Sequence, residues 1–257
     1  MQKLPDLHDA DARTSAPLVL THLEARFGAA PAQSVLAVAL DRFEGRVALV
    51  SSFGAEAAVL LHMLSVIDRT VPVLLLDTQL LFPETLAYQQ ELSARFGLSD
   101  VRRIKPDEST DPDRTLHQRD SAACCHLRKT VPLERALGGF DAVLTGRKRF
   151  QTKERAGMRS FETGPDGRVR INPLANWNAE QIAAYAKAHD LPQHPLVARG
   201  FASIGCAPCT SPVREGEDPR AGRWRGEERE ECGIHIRADG TIERISGARS
   251  SGERRAG

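Results

Sequence analysis

Five cysteines carry most of the chemistry that can be read from this chain. Cys124 and Cys125 are adjacent, Cys206-Ala207-Pro208-Cys209 is a C-x-x-C, and Cys232 stands apart in Glu231-Cys232-Gly233-Ile234-His235. Four thiolates from two short segments suit a tetrahedral metal or a cubane cluster. The C-x-x-C can bring two sulfurs to one centre across a tight turn, which Gly205 and Pro208 favour. Adjacent cysteines cannot easily both ligate one zinc ion, but they can reach two irons of a larger cluster. Spacing alone leaves an iron–sulfur cluster, a zinc ion and structural thiols open. Cys232 belongs to neither pair and lies in a polar segment near several arginines. Cations lower a thiol's pKa toward the nucleophilic thiolate, although an isolated cysteine beside a glycine is commonly inert.

A second set of residues suits anions. Ser51-Ser52-Phe53-Gly54-Ala55-Glu56 lies between an apolar run and a helical pattern, where backbone N–H groups and the helix dipole favour phosphate or sulfate. It lacks the Gly-Lys-Ser/Thr ending of a Walker loop. Basic runs adjoin each loop of interest: Arg128-Lys129 after the cysteine pair, Arg147-Lys148-Arg149 further on, and Arg220 and Arg223 ahead of the last cysteine. Such runs are usually solvated faces. Three of them next to three suspect loops favour an anion site.

Bulk properties bound the function class. A hydrophobic fraction of 41%, a charged fraction of 27% and a net charge of +1 fit a soluble enzyme better than a nucleic-acid coat. No apolar run approaches a membrane span, and the acids Asp6, Asp9 and Asp11 are unlike a secretory signal. A cytoplasmic location is therefore expected, with reduced thiols available for metal binding or catalysis.

These residues need a scaffold, and the pattern supplies one. Two amphipathic helices are expected over Leu18–Phe27 and Ala32–Phe43. Strands follow at Val47–Val50, Val71–Leu76, Val101–Ile104 and Ala142–Thr145, alternating with helices at Ala57–Ile67 and Pro83–Phe96. Asn178, with Gln181 as capping-box partner, opens a helix to about His189. Strands alternating with helices imply an α/β fold, a single domain with a mostly parallel sheet and ligands beyond the strands' carboxyl ends. The expected organisation is N-terminal helices over 1–45, a nucleotide- and cluster-binding domain over 46–210, and a mobile C-terminal segment over 211–257 that carries the nucleophile.

Taken together, Cys124-Cys125-x-x-Arg128-Lys129, Cys206-x-x-Cys209 and Glu231-Cys232-Gly233-Ile234-His235 resemble the signature of bacterial-type assimilatory adenylyl-sulfate reductases. The likeness runs from about Ser51 to His235 and includes Asp77-Thr78, Leu81-Phe82-Pro83-Glu84-Thr85, Gly146–Gln151, Asn172-Pro173-Leu174 and Gly222-Arg223-Trp224. It implies an adenine-nucleotide α-hydrolase-like fold, related to the Rossmann fold. It also implies one [4Fe–4S] cluster on Cys124, Cys125, Cys206 and Cys209, with Lys129 between cluster and substrate. Ser51, Ser52, Phe53, Gly54 and Ala55 would line the nucleotide pocket, with Asp77 and Thr78 near the adenosine. Arg149, Arg220 and Arg223 would hold the phosphosulfate, and Cys232 would attack its sulfur. The implied partners are adenosine 5′-phosphosulfate and thioredoxin or a glutaredoxin-like reductant; no nucleic acid or membrane is implied, and a homo-oligomer is compatible.

The chain departs from the family pattern in three places. Lys148 stands where the family's Gly-x-Arg-Arg has arginine, and lysine lacks the bidentate fork, so Arg149 is the expected ligand. Arg225-Gly226 follows Trp224 in place of further aromatics, and Gln79-Leu80 follows Thr78 where glycine is commoner. Two alternatives remain. A 3′-phosphoadenylyl-sulfate reductase keeps the Glu-Cys-Gly segment but generally lacks the four paired cysteines. A zinc-stabilised nucleic-acid-binding module would want aromatic stacking platforms, and aromatic residues make up only 5% of this chain.

Overall fold

The computed structural model describes residues 12–164 and 166–227. Helices α1 (Ala12–Phe27) and α2 (Ala32–Arg42) lead into β1 (Val47–Val50) and α3 (Ala57–Ile67). Then come β2 (Val73–Leu76), α4 (Pro83–Phe96) and β3 (Val101–Ile104). Three short helices follow, α5 (Leu116–Arg119), α6 (Ser121–Cys125) and α7 (Val131–Ala136), with one π-helical turn (His126–Thr130) joining the last two. Strand β4 (Ala142–Thr145), the hairpin β5 (Phe161–Thr163) and β6 (Val169–Ile171), and α8 (Ala179–Ala188) complete the regular elements.

The expected α/β class is what the chain adopts. One six-stranded sheet runs β3-β2-β1-β4-β6-β5, parallel except for the antiparallel edge strand β5. The chain moves outward from β1 through β2 to β3, then returns to place β4 on the other side of β1. That reversal is a topological switch point, and its crevice opens between the loops after β1 and β4.

Local chemistry explains the boundaries. Pro72 has no N–H to give the ladder, so β2 starts at Val73 and not at Val71. Its four apolar residues are buried on both faces, as a central parallel strand requires. Helix α4 starts on Pro83 and stops at Gly97, where φ is 63° and Leu98 N–H reaches back to Ser93 O at 3.0 Å. The Asn178–Gln181 capping box forms reciprocally, at 2.9 and 2.8 Å.

The two sheet faces are covered unequally. Leu49, Val73, Leu75, Leu144 and Ile171 pack into the large core with α1, α2, α3, α4 and α8. Ala48, Leu74, Leu76 and Val143 face the other way and meet Leu133 of α7 and Leu137 just past its end. With about 1.5–3 kcal/mol per fully buried large apolar side chain, the first core supplies most of the cohesion. The second leaves room beside α7 for a cavity. A satellite cluster of Leu196, Phe201 and Ile204 supports the loop leading to Cys206. Among the described residues no helix is long and apolar enough to cross a membrane.

Candidate active site

A cavity of about 410 Å³ opens at the switch point. Ser51, Ser52, Gly54 and Ala55 line it from the loop after β1. Thr78 and Leu81 come from the loop after β2, Lys129 from the π turn, and Arg220 and Arg223 from a strap of irregular chain over residues 211–227. Three residues expected there lie elsewhere. Phe53 is wholly buried, because φ of 48° turns its ring into the core. Asp77 faces away and pairs with Arg103 at 2.8 Å. Arg149 donates to Met158 O at 2.6 Å, so Lys148, and not Arg149, lines the cavity.

Lys148 is nearly inaccessible and pairs with Glu56, which also accepts from Gln151 at 3.1 Å. Burial lowers the Lys148 pKa, and Glu56 opposes that shift. Arg147 and Arg155, which the sequence reading left unassigned, line the cavity too. Nothing local distinguishes them from a solvated basic run.

Four cysteines gather beside this cavity. Cys124 and Cys125 end α6, which Asp120 caps by accepting from Ala123 N–H at 2.8 Å. The π turn then carries Arg128 and Lys129 inward, at 3% and 8% exposure. Wide π turns are common at functional sites because they re-aim side chains within a helix. Arg128 spends its donors on Asp111 at 2.7 Å, Thr78 O at 3.0 Å and Gln79 Oε1 at 3.1 Å. The buried guanidinium therefore ties the tandem-cysteine segment to the loop after β2.

That loop also holds the second pair. Ala207 N–H donates to Leu80 O at 2.7 Å, and Leu81 bridges Cys206. Thr78 Oγ1 lies 3.1 Å from Cys206 Sγ, a contact in which either atom can donate, and accepts Leu80 N–H at 3.3 Å. Cys209 N–H closes the tight turn onto Cys206 O at 3.0 Å. Beyond it, Ser211 N–H donates to Gly222 O and Trp224 N–H to Cys209 O, so the strap is strapped to the C-x-x-C. Trp224 is buried beneath Arg223, whose guanidinium lies 4.4 Å from the ring centre.

The thiols sense one another. Burial pushes Cys124 up to about 11, and Cys125, Cys206 and Cys209 add to the shift against Arg128. Burial likewise raises Cys209, helped by Cys206 and Cys125 and opposed by Lys129 and Arg223. Among the described residues no three His, Cys, Asp or Glu side chains converge closely enough to hold a single metal ion. Cys232 lies outside the described residues. Glu227, the last described residue, accepts from Ser121 Oγ at 2.8 Å, at the start of the cysteine helix.

Comparison with known proteins places this architecture. The model of the phosphoadenosine phosphosulfate reductase domain matches residues 46–212. The chain belongs to this family. Within it, the chain is 47% identical over 234 residues to the adenosine 5′-phosphosulfate reductase of Mesorhizobium japonicum, covering 89% of this chain and 92% of that one. It is 37% identical to the phosphoadenosine 5′-phosphosulfate reductase of Gloeobacter violaceus over 89% and 98% of the two chains. The phosphate complex of a phosphoadenylyl-sulfate reductase from Candida auris superposes with a TM-score of 0.65 at 27% identity, covering 76% of this chain and 96% of that one. Candida glabrata FMN adenylyltransferase, at 17% identity and a TM-score of 0.52, shares the fold over 83% of this chain and 72% of its own.

Proposed function

We propose that this member of the family is an oxidoreductase that reduces adenosine 5′-phosphosulfate to sulfite and AMP, serving sulfate assimilation and cysteine biosynthesis. The observation that carries the proposal is the gathering of two cysteine pairs, within electrostatic reach of one another, beside a switch-point cavity that Cys206, Lys129 and Arg223 line. Possession of both pairs, with the 47% identity to an adenosine 5′-phosphosulfate reductase, favours the nucleotide lacking a 3′-phosphate.

Cys124, Cys125, Cys206 and Cys209 would hold a [4Fe–4S] cluster. The donor set fits: four free thiols, three of them buried, in mutual electrostatic reach. When bound, the cluster supplies a fixed local charge beside the substrate.

The chain's own residues account for the remaining chemistry. Ser51, Ser52, Gly54 and Ala55 offer the loop after β1 to the nucleotide. Lys129, Arg220 and Arg223 face the phosphosulfate and stabilise charge developing on the leaving phosphate. The Cys232 thiolate attacks the sulfonyl sulfur, the S–O bond to the phosphate breaks, and AMP departs, leaving S-sulfocysteine. A thiolate of thioredoxin or a glutaredoxin-like protein then attacks Cys232 Sγ and displaces sulfite, and its second thiol resolves the mixed disulfide. Cys232 is five residues on from Glu227 in the chain, a reach of at most about 17 Å from a point beside the cysteine helix. The segment 211–257 would thus present one thiol first to the nucleotide and then to the reductant, inside a cytoplasmic enzyme.

The test is sulfite release by anaerobically purified protein with thioredoxin, offered adenylyl sulfate and its 3′-phospho form in parallel. Preferential release from adenylyl sulfate is expected, with about four irons per chain, and Cys232→Ser should lose release while keeping iron. Preference for the 3′-phospho form would reassign the substrate. One zinc and no release would sink the reductase.

A further inference from the structure

Gln79 stands where glycine is commoner in the family, and the loop after β2 makes a demand that glycine meets more easily. Its φ of 61° is left-handed, a conformation that glycine enters freely and a residue with a Cβ does not. A glutamine kept there needs compensation from its surroundings. The backbone supplies part of it, with Gln79 N–H donating to Asp77 Oδ1 at 3.1 Å. The side-chain amide supplies the rest, because both of its ends are engaged. Nε2 donates to Glu108 at 2.6 Å, and Oε1 accepts from Arg128 at 3.1 Å. A carboxylate only accepts and a guanidinium only donates, so these partners fix which way the amide faces.

The bonds close a ring. Glu108 opens the short 3-10 turn Glu108–Thr110, and Asp111 stands at its end. Asp111 takes the other side of the Arg128 guanidinium, at 2.7 Å. Gln79, Glu108, Asp111 and Arg128 thus enclose one circuit made of side chains and a single turn of backbone. The thiols hang from its two sides. Arg128 follows Cys125 by three residues, while Leu80 O and Leu81 hold the Cys206 segment. Thr78 and Leu81 line the substrate cavity, but Gln79 between them does not.

We propose that Gln79 is a positioning residue, whose side-chain amide fixes Arg128 and through it sets the two cysteine pairs against each other. Glycine at this position would ease the backbone and lose the ring. The tie acts on the thiols with or without a bound cluster, so only the iron-based half of the test rests on the cluster reading above.

The variants are Gln79→Gly, Gln79→Glu and the double exchange of Gln79→Glu with Glu108→Gln. Alone, Gln79→Glu sets two carboxylates face to face and breaks the ring. The double exchange restores a donor opposite an acceptor at the parent's net charge. In metal-free protein, iodoacetamide should alkylate Cys124, Cys125, Cys206 and Cys209 about three- to tenfold faster in both single variants, as peptide mass mapping would show. In iron-loaded protein, loss of iron to a chelator and bleaching of the visible absorption should quicken by a similar factor. The double exchange should bring each rate back to within about twofold of the parent. The urea midpoint of Gln79→Gly should hold or rise, since backbone strain is released. Parent-like rates in Gln79→Gly, or a double exchange no nearer the parent than Gln79→Glu, would overturn the proposal. A midpoint that fell in step with the rates would make the effect one of global stability and overturn it as well. A parent protein that binds no iron would instead strike the cluster reading, and the alkylation rates would decide Gln79 on their own.

Discussion

Thr78 connects the substrate cavity to the thiol set through a single hydroxyl. Its oxygen lies 3.1 Å from Cys206 Sγ, and once that sulfur is a ligating thiolate only the hydroxyl is left to donate. Hydrogen bonds to ligating sulfurs tune a cluster's potential and stability. Thr78→Val should therefore speed the loss of iron to a chelator several-fold and shift the visible absorption of the loaded protein, while Thr78→Ser restores both. Equal chelation rates in all three proteins would remove the hydroxyl from the site. His194 carries a different sort of information. It is fully buried; Leu196 N–H binds its Nδ1 at 3.1 Å, which leaves Nε2–H to donate to Thr85 at 3.0 Å. Burial brings its pKa down to about 4, with Glu84 opposing.

At the scale of elements, the joint between the two cysteine segments is the Asp111–Arg128 pair, at 5% and 3% side-chain exposure. Burial alone would raise the Asp111 pKa, but Arg128 and the N–H groups of Leu116 and Thr115 outweigh it and hold the group below the usual range. Asp111→Ala would leave a buried guanidinium uncompensated, a loss of about 3–5 kcal/mol. A lower urea midpoint should show it, with Asp111→Asn falling between. The sequence announced the long elements because their signals are local: Pro83 and Gly97 bracket α4, and Asn178 with Gln181 opens α8. It did not announce β5 and β6, since three residues are too few for alternation to register. The π turn is equally silent, being fixed by Arg128 reaching its tertiary partners. Lys148 was passed over on side-chain chemistry, whereas backbone decided the matter. Lys148 is extended, with φ −133° and ψ 147°, and its ammonium reaches Glu56, whereas Arg149 opens a helical turn and donates to Met158 O. Phe53 misled for a similar reason, since a positive φ in a loop is invisible to residue type.

For the molecule as a whole, the buried neutral imidazole sets a pH limit. A histidine whose pKa falls on folding binds fewer protons in the native state, so its contribution is present above pH 6.5 and is lost as pH falls toward 4. His194 should cost about 2 kcal/mol of stability between pH 7 and pH 5. His62, also lowered by burial and by His189 and Arg95, acts in the same direction. Urea unfolding at the two pH values should show the loss, and a His194→Gln variant should show a flatter slope. Most of the architecture was legible in advance because a parallel sheet repeats one unit. The breadth of the cavity beside α7 was not, since it depends on that helix covering only part of one face.

Trp224 gives the chain a built-in optical reporter. There are two tryptophans in the sequence, and Trp177 packs edge-on against Tyr185, far along the chain from the strap. A Trp177→Phe protein would emit from Trp224 alone, an indole at 3% exposure whose backbone is bonded to the Cys209 carbonyl. Its emission would be blue of that in water while the strap is seated and would move red as soon as the C-x-x-C end opens. Fluorescence in real time would then follow the seating of one loop, without any label.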